Sequence, residues 1–115
     1  MPYNVYFTAL AEDWVMSLGD DDYDSIMARI ELLEEHGPGL GRPVVGAIRG
    51  SRHPNMKELR AGSMRALFAF DPLRQAIMLV GGDKRDGWTG WYERNIPFAD
   101  DLLDAHLDSL REDSP

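Results

Sequence analysis

The order of apolar and polar residues predicts two amphipathic helices in the first third of the chain. The first helix follows a short strand over Tyr3–Phe7 and has Thr8 as its expected N-cap. The second helix carries an apolar stripe with the spacing i, i+3, i+4, i+7 and i+10, formed by Tyr23, Ile26, Met27, Ile30 and Leu33. We expect one of Asp20–Asp22 to cap this helix, and Gly37 followed by Pro38 to end it.

Three β-segments are predicted in the middle of the chain, after an irregular basic connection over residues 42–54. They are NMKELRA, SMRALFAF and QAIMLVGG, and Gly62 separates the first two at a hairpin position. Their short spacing predicts an antiparallel meander. A last helix is expected to have Pro97 in its first turn. This order predicts one α+β domain over residues 1–115, with two N-terminal helices and a C-terminal helix against one face of a small antiparallel sheet.

Strand periodicity predicts which charged side chains lie together. Glu58 and Arg60 point to one face of their strand, and Lys57 points to the other. The hairpin brings Arg60 close to Arg65 whatever the register, and Lys84 follows the third strand. Guanidinium groups fixed on a sheet, with an ammonium group at its rim, form a site for phosphate or another anion. The alternative is that Arg60 only forms an ion pair with Glu58 or with a helix carboxylate.

The net charge of −8 conceals a segregated distribution. Residues 1–41 carry nine acidic side chains and one basic, residues 42–94 carry ten basic and five acidic, and residues 95–115 carry six acidic and one basic. Solvation of helices by acidic side chains explains the two ends of the chain. It does not explain why ten of the twelve basic residues lie in one segment, which favours a local anion-binding surface.

Composition excludes several classes of protein and site. The absence of cysteine excludes a disulfide framework, a thiol nucleophile and a cysteine-based zinc site. His36, His53 and His106 lack metal-ligand spacing, so we expect neither a metal nor a cofactor. The longest uncharged apolar run is too short to span a membrane, and the N-terminal residues lack the features of a signal peptide. We therefore expect a cytoplasmic protein without a membrane partner.

Aromatic residues follow the third β-segment, beside the basic groups. Trp88, Trp91 and Tyr92 lie among charged residues, a pattern that suits stacking on unpaired bases. Two tryptophans at i and i+3 before a helix are, however, more often core residues or residues that dock the helix on the core. Both interpretations stay open here. No tyrosine is placed at the predicted anion site unless Tyr92 folds back towards the strands.

The ordered set KELR, MRALFAF, GGDKR and WYERNIPFAD resembles the RelE/ParE superfamily of bacterial toxins, and in particular its HigB-type, phage-derived branch. The resemblance extends over nearly the whole chain. It implies a RelE-like fold and a ribosome-dependent endoribonuclease that cuts translated mRNA and so inhibits translation. It also implies a cognate antitoxin, often a helix-turn-helix DNA-binding protein. We expect such an antitoxin to place an acidic or apolar segment across the basic groove around Arg60 and Arg65.

The resemblance implies roles for individual residues. Arg60 and Arg65 match the family's strand arginines and are expected to stabilise a phosphorane, and Lys84 matches the basic residue after the last strand and would assist or hold the scissile phosphate. Glu58 is expected either to act as the general base or to orient Arg60. The residues expected to contact RNA are Arg49, Arg52, His53, Lys57, Arg85 and Trp88.

Two other functions fit the same scaffold. One is a toxin without nuclease activity, as in the gyrase-inhibiting branch of the superfamily, which would damage DNA and leave mRNA intact. The other is a non-toxic module that binds an antitoxin for regulation, which the acidic ends of the chain would suit. New mRNA ends, DNA damage, or neither would distinguish the three hypotheses.

Overall fold

Residues 3–112 are described by the computed structural model, and within them the chain forms five strands and three α-helices. In chain order these are β1 (Val5–Phe7), α1 (Ala9–Met16), α2 (Asp20–His36), β2 (Val45–Ala47), β3 (Lys57–Ala61), β4 (Met64–Phe70), β5 (Ala76–Asp83) and α3 (Trp91–Glu112). A 3₁₀ turn over Gly37–Gly39 follows α2. A sheet with separate flanking helices confirms the predicted α+β class. The extreme ends of the predicted domain lie outside the described residues.

The strands form one sheet in the order β1-β5-β4-β3-β2. Pairing is antiparallel between β3 and β4 and between β4 and β5, which confirms the predicted meander. The additional strand β2 pairs with β3, also antiparallel. By contrast, β1 pairs with β5 in parallel. This edge strand is shorter than predicted, because it begins at Val5 rather than Tyr3.

Both faces of the sheet are covered, so the expectation that the helices lie against one face is wrong. On one face, α1 and α2 enclose a core that includes Ile26 and Phe68. On the other face, α3 encloses a second core that includes Leu67 and Ile96. The adjacent residues Leu67 and Phe68 are both fully buried although they point to opposite faces of β4. A strand that is apolar on both sides requires cover on both sides.

The first two helices differ in how well their starts are predicted. At α1, the Thr8 hydroxyl oxygen accepts a hydrogen bond from the Ala11 N–H at 3.1 Å, as expected for its N-cap. At α2 the N-cap is Gly19, and Asp20–Asp22 form the first helical turn instead of the cap. Carboxylates in that turn still favour the helix, because they lie at the positive end of its dipole. Gly37 ends α2 with a positive φ of 58°.

The connection over residues 42–54 is not irregular throughout, as the sequence predicts, because it contains β2. This strand pairs with β3 through Val45↔Leu59, Gly46↔Glu58 and Ala47↔Lys57. It has only three residues and a central glycine, which gives little strand signal in the sequence. Through β2, the sheet extends beyond Glu58 and Arg60 and provides a surface beside them.

The C-terminal helix begins at Trp91, earlier than predicted, so Pro97 lies inside it rather than in its first turn. An internal proline costs a helix about 3 kcal/mol. Burial of Trp91 and Ile96 against the sheet favours the longer helix, because both side chains belong to the core beneath α3. No helix within residues 3–112 is long and apolar enough to cross a membrane.

Candidate active site

The hairpin between β3 and β4 places two arginines opposite each other. Arg60 and Arg65 are direct partners in the antiparallel register, and Gly62 supports the turn between them with a φ of 59°. Alternation along the strands directs both side chains to the face that α3 covers. The predicted proximity of the two arginines is therefore confirmed.

Glu58 lies buried beside these arginines and contacts both. Its Oε2 accepts hydrogen bonds from Arg60 Nε at 3.0 Å and Arg60 Nη2 at 2.9 Å, and its Oε1 lies 4.0 Å from Arg65 Nε. The Arg60–Glu58 ion pair, left open by the sequence as an alternative, is thus present. Two guanidinium groups share this one carboxylate, and 33% of the Arg60 side chain remains exposed. These three residues, Glu58, Arg60 and Arg65, form a cluster that keeps an excess positive charge within reach of an anion.

Tyr92, in the first turn of α3, completes the cluster. Its Oη donates a hydrogen bond to Glu58 Oε1 at 2.6 Å. Burial, and secondly the hydrogen bond to Glu58, raise the pKa of Tyr92 to about 12. The phenol is therefore protonated at neutral pH and can donate. The sequence leaves the position of Tyr92 open, and the earlier start of α3 is what folds it back to the strands.

Two tryptophan rings fix the position of Tyr92. The rings of Trp88 and Trp91 stack with centroids 4.4 Å apart, and Tyr92 meets both edge-on. Trp91 is buried, and its indole packs on Gly82, the residue paired with Arg65 in the β4–β5 ladder. Packing of the helix start, one of the two interpretations left open, thus describes Trp91. Trp88 is only partly buried and keeps a face towards Lys84, whose Nζ lies 5.9 Å from a ring centroid.

Lys84 lies just after β5, on the rim of the cluster. Its backbone N–H donates to the Ser63 carbonyl at 3.0 Å, which ties it to the turn between Arg60 and Arg65. The side chain is exposed and, within residues 3–112, forms no ion pair with a carboxylate. Its ammonium group is therefore available to a ligand of the cluster.

The side chain of Arg60 rests on a glycine of β2. Gly46 is paired with Glu58, and a methyl group on Gly46 would overlap the Arg60 guanidinium. A glycine at this position lets the guanidinium lie flat across the sheet next to Glu58. Sequence reasoning does not identify Gly46, because the strand that contains it is not predicted.

The predicted RNA contacts occupy different places. Arg49 lines a groove of about 330 Å³ together with Glu58 and Tyr92, so the structure brings it to the cluster. Lys57 points to the opposite face of β3 from Glu58 and is half-buried. Trp88 lies at the cluster, in contact with Tyr92.

The other predicted RNA contacts bind carboxylates. Arg52 donates to Asp101 at 3.1 Å and to Asp104, and His53 Nε2 lies 2.7 Å from Asp104, so both fasten their loop to α3. Arg85 pairs with Asp83 and Asp22.

The ion pair between Arg85 and Asp83 changes the pKa of the Asp83 carboxyl group. Hydrogen bonds from Arg85 lower the pKa of Asp83 well below its usual range.

The structure does not bring Arg52, His53 or Arg85 to the Glu58 cluster. Within residues 3–112, no group of three or more histidine, cysteine or acidic side chains is arranged to hold a metal ion.

Comparisons with known proteins identify the family. Residues 13–104 match the family described as "Phage derived protein Gp49-like (DUF891)". The chain is 50% identical over 107 residues to HigB2 of Mycobacterium tuberculosis (strain ATCC 25618 / H37Rv), covering 89% of this chain and 53% of that protein. It is 56% identical over 100 residues to HigB3 of the same strain, covering 85% of this chain and 88% of that protein. Both relatives are named as toxins.

A solved structure has the same fold. The crystal structure of an archaeal RelE–RelB complex from Pyrococcus horikoshii OT3 matches with a TM-score of 0.62 at 17% identity, covering 76% of this chain and 100% of that chain. The chain spans about half the length of HigB2 and most of HigB3. It belongs to the Gp49-like family of phage-derived proteins and, by its identity to HigB2 and HigB3, to the HigB-type branch of that family.

Proposed function

We propose that this protein is the toxin of a type II toxin–antitoxin system and acts as a ribosome-dependent endoribonuclease on translated mRNA. One observation carries the proposal: two arginines paired across a hairpin share a buried carboxylate that also accepts the hydroxyl hydrogen of Tyr92. The cluster combines excess positive charge with a proton-transfer pair. Those are the two requirements of RNA cleavage by its own 2′-hydroxyl group.

The arginines would act on the scissile phosphate. Attack by the 2′-oxygen forms a phosphorane with additional negative charge, and Arg60 and Arg65 would stabilise that charge. Glu58 orients the Arg60 guanidinium, so little reorganisation accompanies the reaction. Removal of one such donor costs about 10²–10³ in rate.

Tyr92 and Glu58 would move the proton of the attacking group. The 2′-hydroxyl group transfers its proton to Tyr92 Oη as Tyr92 passes its own proton to Glu58 Oε1, 2.6 Å away. The pKa of Tyr92, raised to about 12, disfavours a free phenolate, so such a concerted transfer suits the pair. The 2′-oxygen then bonds to phosphorus, the bond from phosphorus to the 5′-oxygen breaks, and the Lys84 ammonium protonates the leaving oxygen. The products are a 2′,3′-cyclic phosphate and a 5′-hydroxyl group.

An antitoxin would hold this activity in check. Arg49 and Lys84 lie at the cluster and, among residues 3–112, neither forms an ion pair with a carboxylate. An acidic or apolar segment of a partner, often part of a helix-turn-helix DNA-binding protein, would cover these cations and the Tyr92 hydroxyl group. The archaeal RelE of the same fold was crystallised in complex with RelB, which supports a protein partner for this chain.

The test is induction of the protein in a bacterial host, followed by mapping of new 5′ ends on mRNA. Arg65→Ala is the site variant, and Arg111→Ala is the matched control because Arg111, among residues 3–112, pairs only with the exposed Asp108 in the last turns of α3. We expect new ends that require translation and Arg65 but not Arg111. Growth arrest with intact mRNA would favour the gyrase-inhibitor hypothesis, and absence of arrest would favour a non-toxic binding module.

A further inference from the structure

A third arginine approaches Arg60 and Arg65 from a helix. Arg29 on α2 lines a groove of about 360 Å³ with both of them, and Gly62 at the hairpin turn forms part of the same wall. The groove lies at the end of the sheet, where α2 meets the β3–β4 hairpin. It is separate from the groove beside Tyr92, which Arg49 lines.

Arg29 is distinctive in its own segment. It is the one basic residue among residues 1–41, which carry nine acidic side chains. Nevertheless, its neighbours at i±3 and i±4 on the helix are Ser25, Ile26, Leu32 and Leu33, none of which is acidic. Within residues 3–112 no hydrogen bond or ion pair engages its guanidinium group. A positive charge is thus held at the groove without neutralisation.

The other two arginines are held in position. Arg65 Nη1 donates to the carbonyl oxygens of Gly62 and Met64, each at 2.8 Å, and Arg60 is fixed by Glu58. Among the residues that the structure describes, no aspartate or glutamate lines the groove. Three guanidinium groups gathered around open space repel one another unless an anion lies between them.

We infer that the groove of Arg29, Arg60 and Arg65 binds a second backbone phosphate of the RNA, next to the scissile phosphate. The inference rests on the proposed function and extends it to the path of the substrate. Because Arg60 and Arg65 contact both the cluster and the groove, a chain crossing the cluster continues into the groove. The RNA therefore runs from the groove beside Tyr92 and Arg49, across the arginine pair, to Arg29. Arg29 is a binding residue in this arrangement and takes no part in proton transfer.

The test is binding of a short single-stranded RNA, made non-cleavable by 2′-O-methyl groups, at salt concentrations between about 50 and 200 mM. Each phosphate contact on a single strand contributes about 0.7 to the slope of log affinity against log salt. We expect Arg29→Gln to weaken binding about 3–10-fold at the lower salt and to reduce the slope by about 0.7. Arg29→Lys should retain the slope, and Arg111→Gln should match the wild type.

Cleavage of ribosome-bound mRNA provides the second readout. Arg29→Gln should raise KM and leave kcat within about twofold, since a contact made equally in ground and transition states changes only KM. Thermal melting verifies that each variant is folded. An unchanged affinity and slope for Arg29→Gln would overturn the inference while leaving the proposed nuclease intact. A wild-type protein that binds no RNA would overturn both. Weakened binding of a ten-residue polyglutamate peptide, with RNA binding unchanged, would assign the groove to an acidic protein partner instead.

Discussion

Tyr92 Oη donates a 2.6 Å hydrogen bond to Glu58 Oε1, and this bond joins the first turn of α3 to a buried carboxylate on β3. The same carboxylate holds Arg60 through its other oxygen. One buried group therefore positions both the phenol and the guanidinium, which come from elements more than thirty residues apart. Under the proposed function, substitution of the phenol would remove proton transfer and substitution of the guanidinium would remove charge stabilisation, so the two roles can be tested separately.

Substitution Tyr92→Phe tests the proton-transfer role. The phenylalanine ring keeps the edge-on contacts with Trp88 and Trp91, so the fold should persist. Glu58 loses one hydrogen bond, which costs about 1–3 kcal/mol of stability for a buried group. Cleavage should fall about 10²–10⁴-fold, the usual contribution of general acid–base catalysis. The measurement is the rate of ribosome-dependent mRNA cleavage, together with urea unfolding.

The matched control for this substitution is Tyr23→Phe. Tyr23 lies on α2 with 36% of its surface exposed and has no contact with Glu58. Its rate should equal that of the wild type. If Tyr92→Phe cleaved as fast as Tyr23→Phe, the relay through Tyr92 would be wrong, and a direct role for Glu58 would have to replace it.

The arginine pair could be predicted from the sequence because local rules determine it. Gly62 marks a tight turn, and a tight turn sets the register of the strands on either side. Period-two alternation then places Glu58 on the same face as Arg60. These relationships involve residues fewer than ten positions apart and need no knowledge of the tertiary structure.

Tyr92 could not be placed in the same way, because its position depends on long-range packing. The start of α3 is determined by the burial of Trp91 against Gly82, across the face of the sheet. Local signals favoured Pro97 as the first turn, since proline is common there. Local sequence patterns also fail to place Arg29 at a site. It is an isolated basic residue on an acidic helix, and only the folded chain brings it beside the β3–β4 hairpin.

Arg85 shows that a residue next to a predicted site residue in the sequence need not lie at the same site in the structure. In the sequence it extends the basic pair begun by Lys84, yet in the structure it binds Asp83 and the distant Asp22. Adjacent residues beyond the end of a strand diverge in space, so a basic dipeptide does not act as one patch. The predicted RNA contact of Arg85 would require it to leave two carboxylates.

Substitution Gly46→Ala tests whether the position of Arg60 matters apart from its charge. The added methyl group would overlap the Arg60 guanidinium, the flexible end of a long side chain, which can move aside without disturbing the backbone. We expect a loss of stability of about 1–3 kcal/mol, because the displaced guanidinium no longer donates its hydrogen bonds to the buried Glu58 carboxylate. Cleavage should fall about 10²-fold, as for removal of a charge-stabilising donor.

The control for Gly46→Ala is Gly41→Ala, where the new methyl group meets no atom within 4 Å. Both variants add one methyl group to the stretch between α2 and β3, so their comparison isolates the displacement of Arg60. Urea unfolding and the mRNA cleavage rate are measured for both. Equal, undiminished cleavage by the two variants would contradict a requirement for the observed Arg60 geometry.

The pH dependence of stability should depend on Asp71, at the turn between β4 and β5. Burial alone would raise the pKa of Asp71, but hydrogen bonds from His106, Gln75 and Leu73 outweigh it and hold the pKa below its usual value. A carboxylate with a lowered folded pKa contributes stability that is complete above the unfolded pKa of about 3.9. That contribution is lost as the pH falls through the folded pKa.

Asp71→Asn keeps a side-chain oxygen that accepts hydrogen bonds from the backbone N–H groups of Leu73 and Gln75, but it loses the charge. The variant should therefore be less stable than the wild type at neutral pH by about 1–3 kcal/mol. The difference should shrink as the pH falls below about 4, because only the wild type loses the carboxylate contribution there. Urea unfolding between pH about 7 and 3 measures both curves. Asp108→Asn, at an exposed pair with Arg111, should follow the wild type throughout. If the difference in unfolding free energy between Asp71→Asn and the wild type stays constant with pH, the charge of the carboxylate does not contribute to stability.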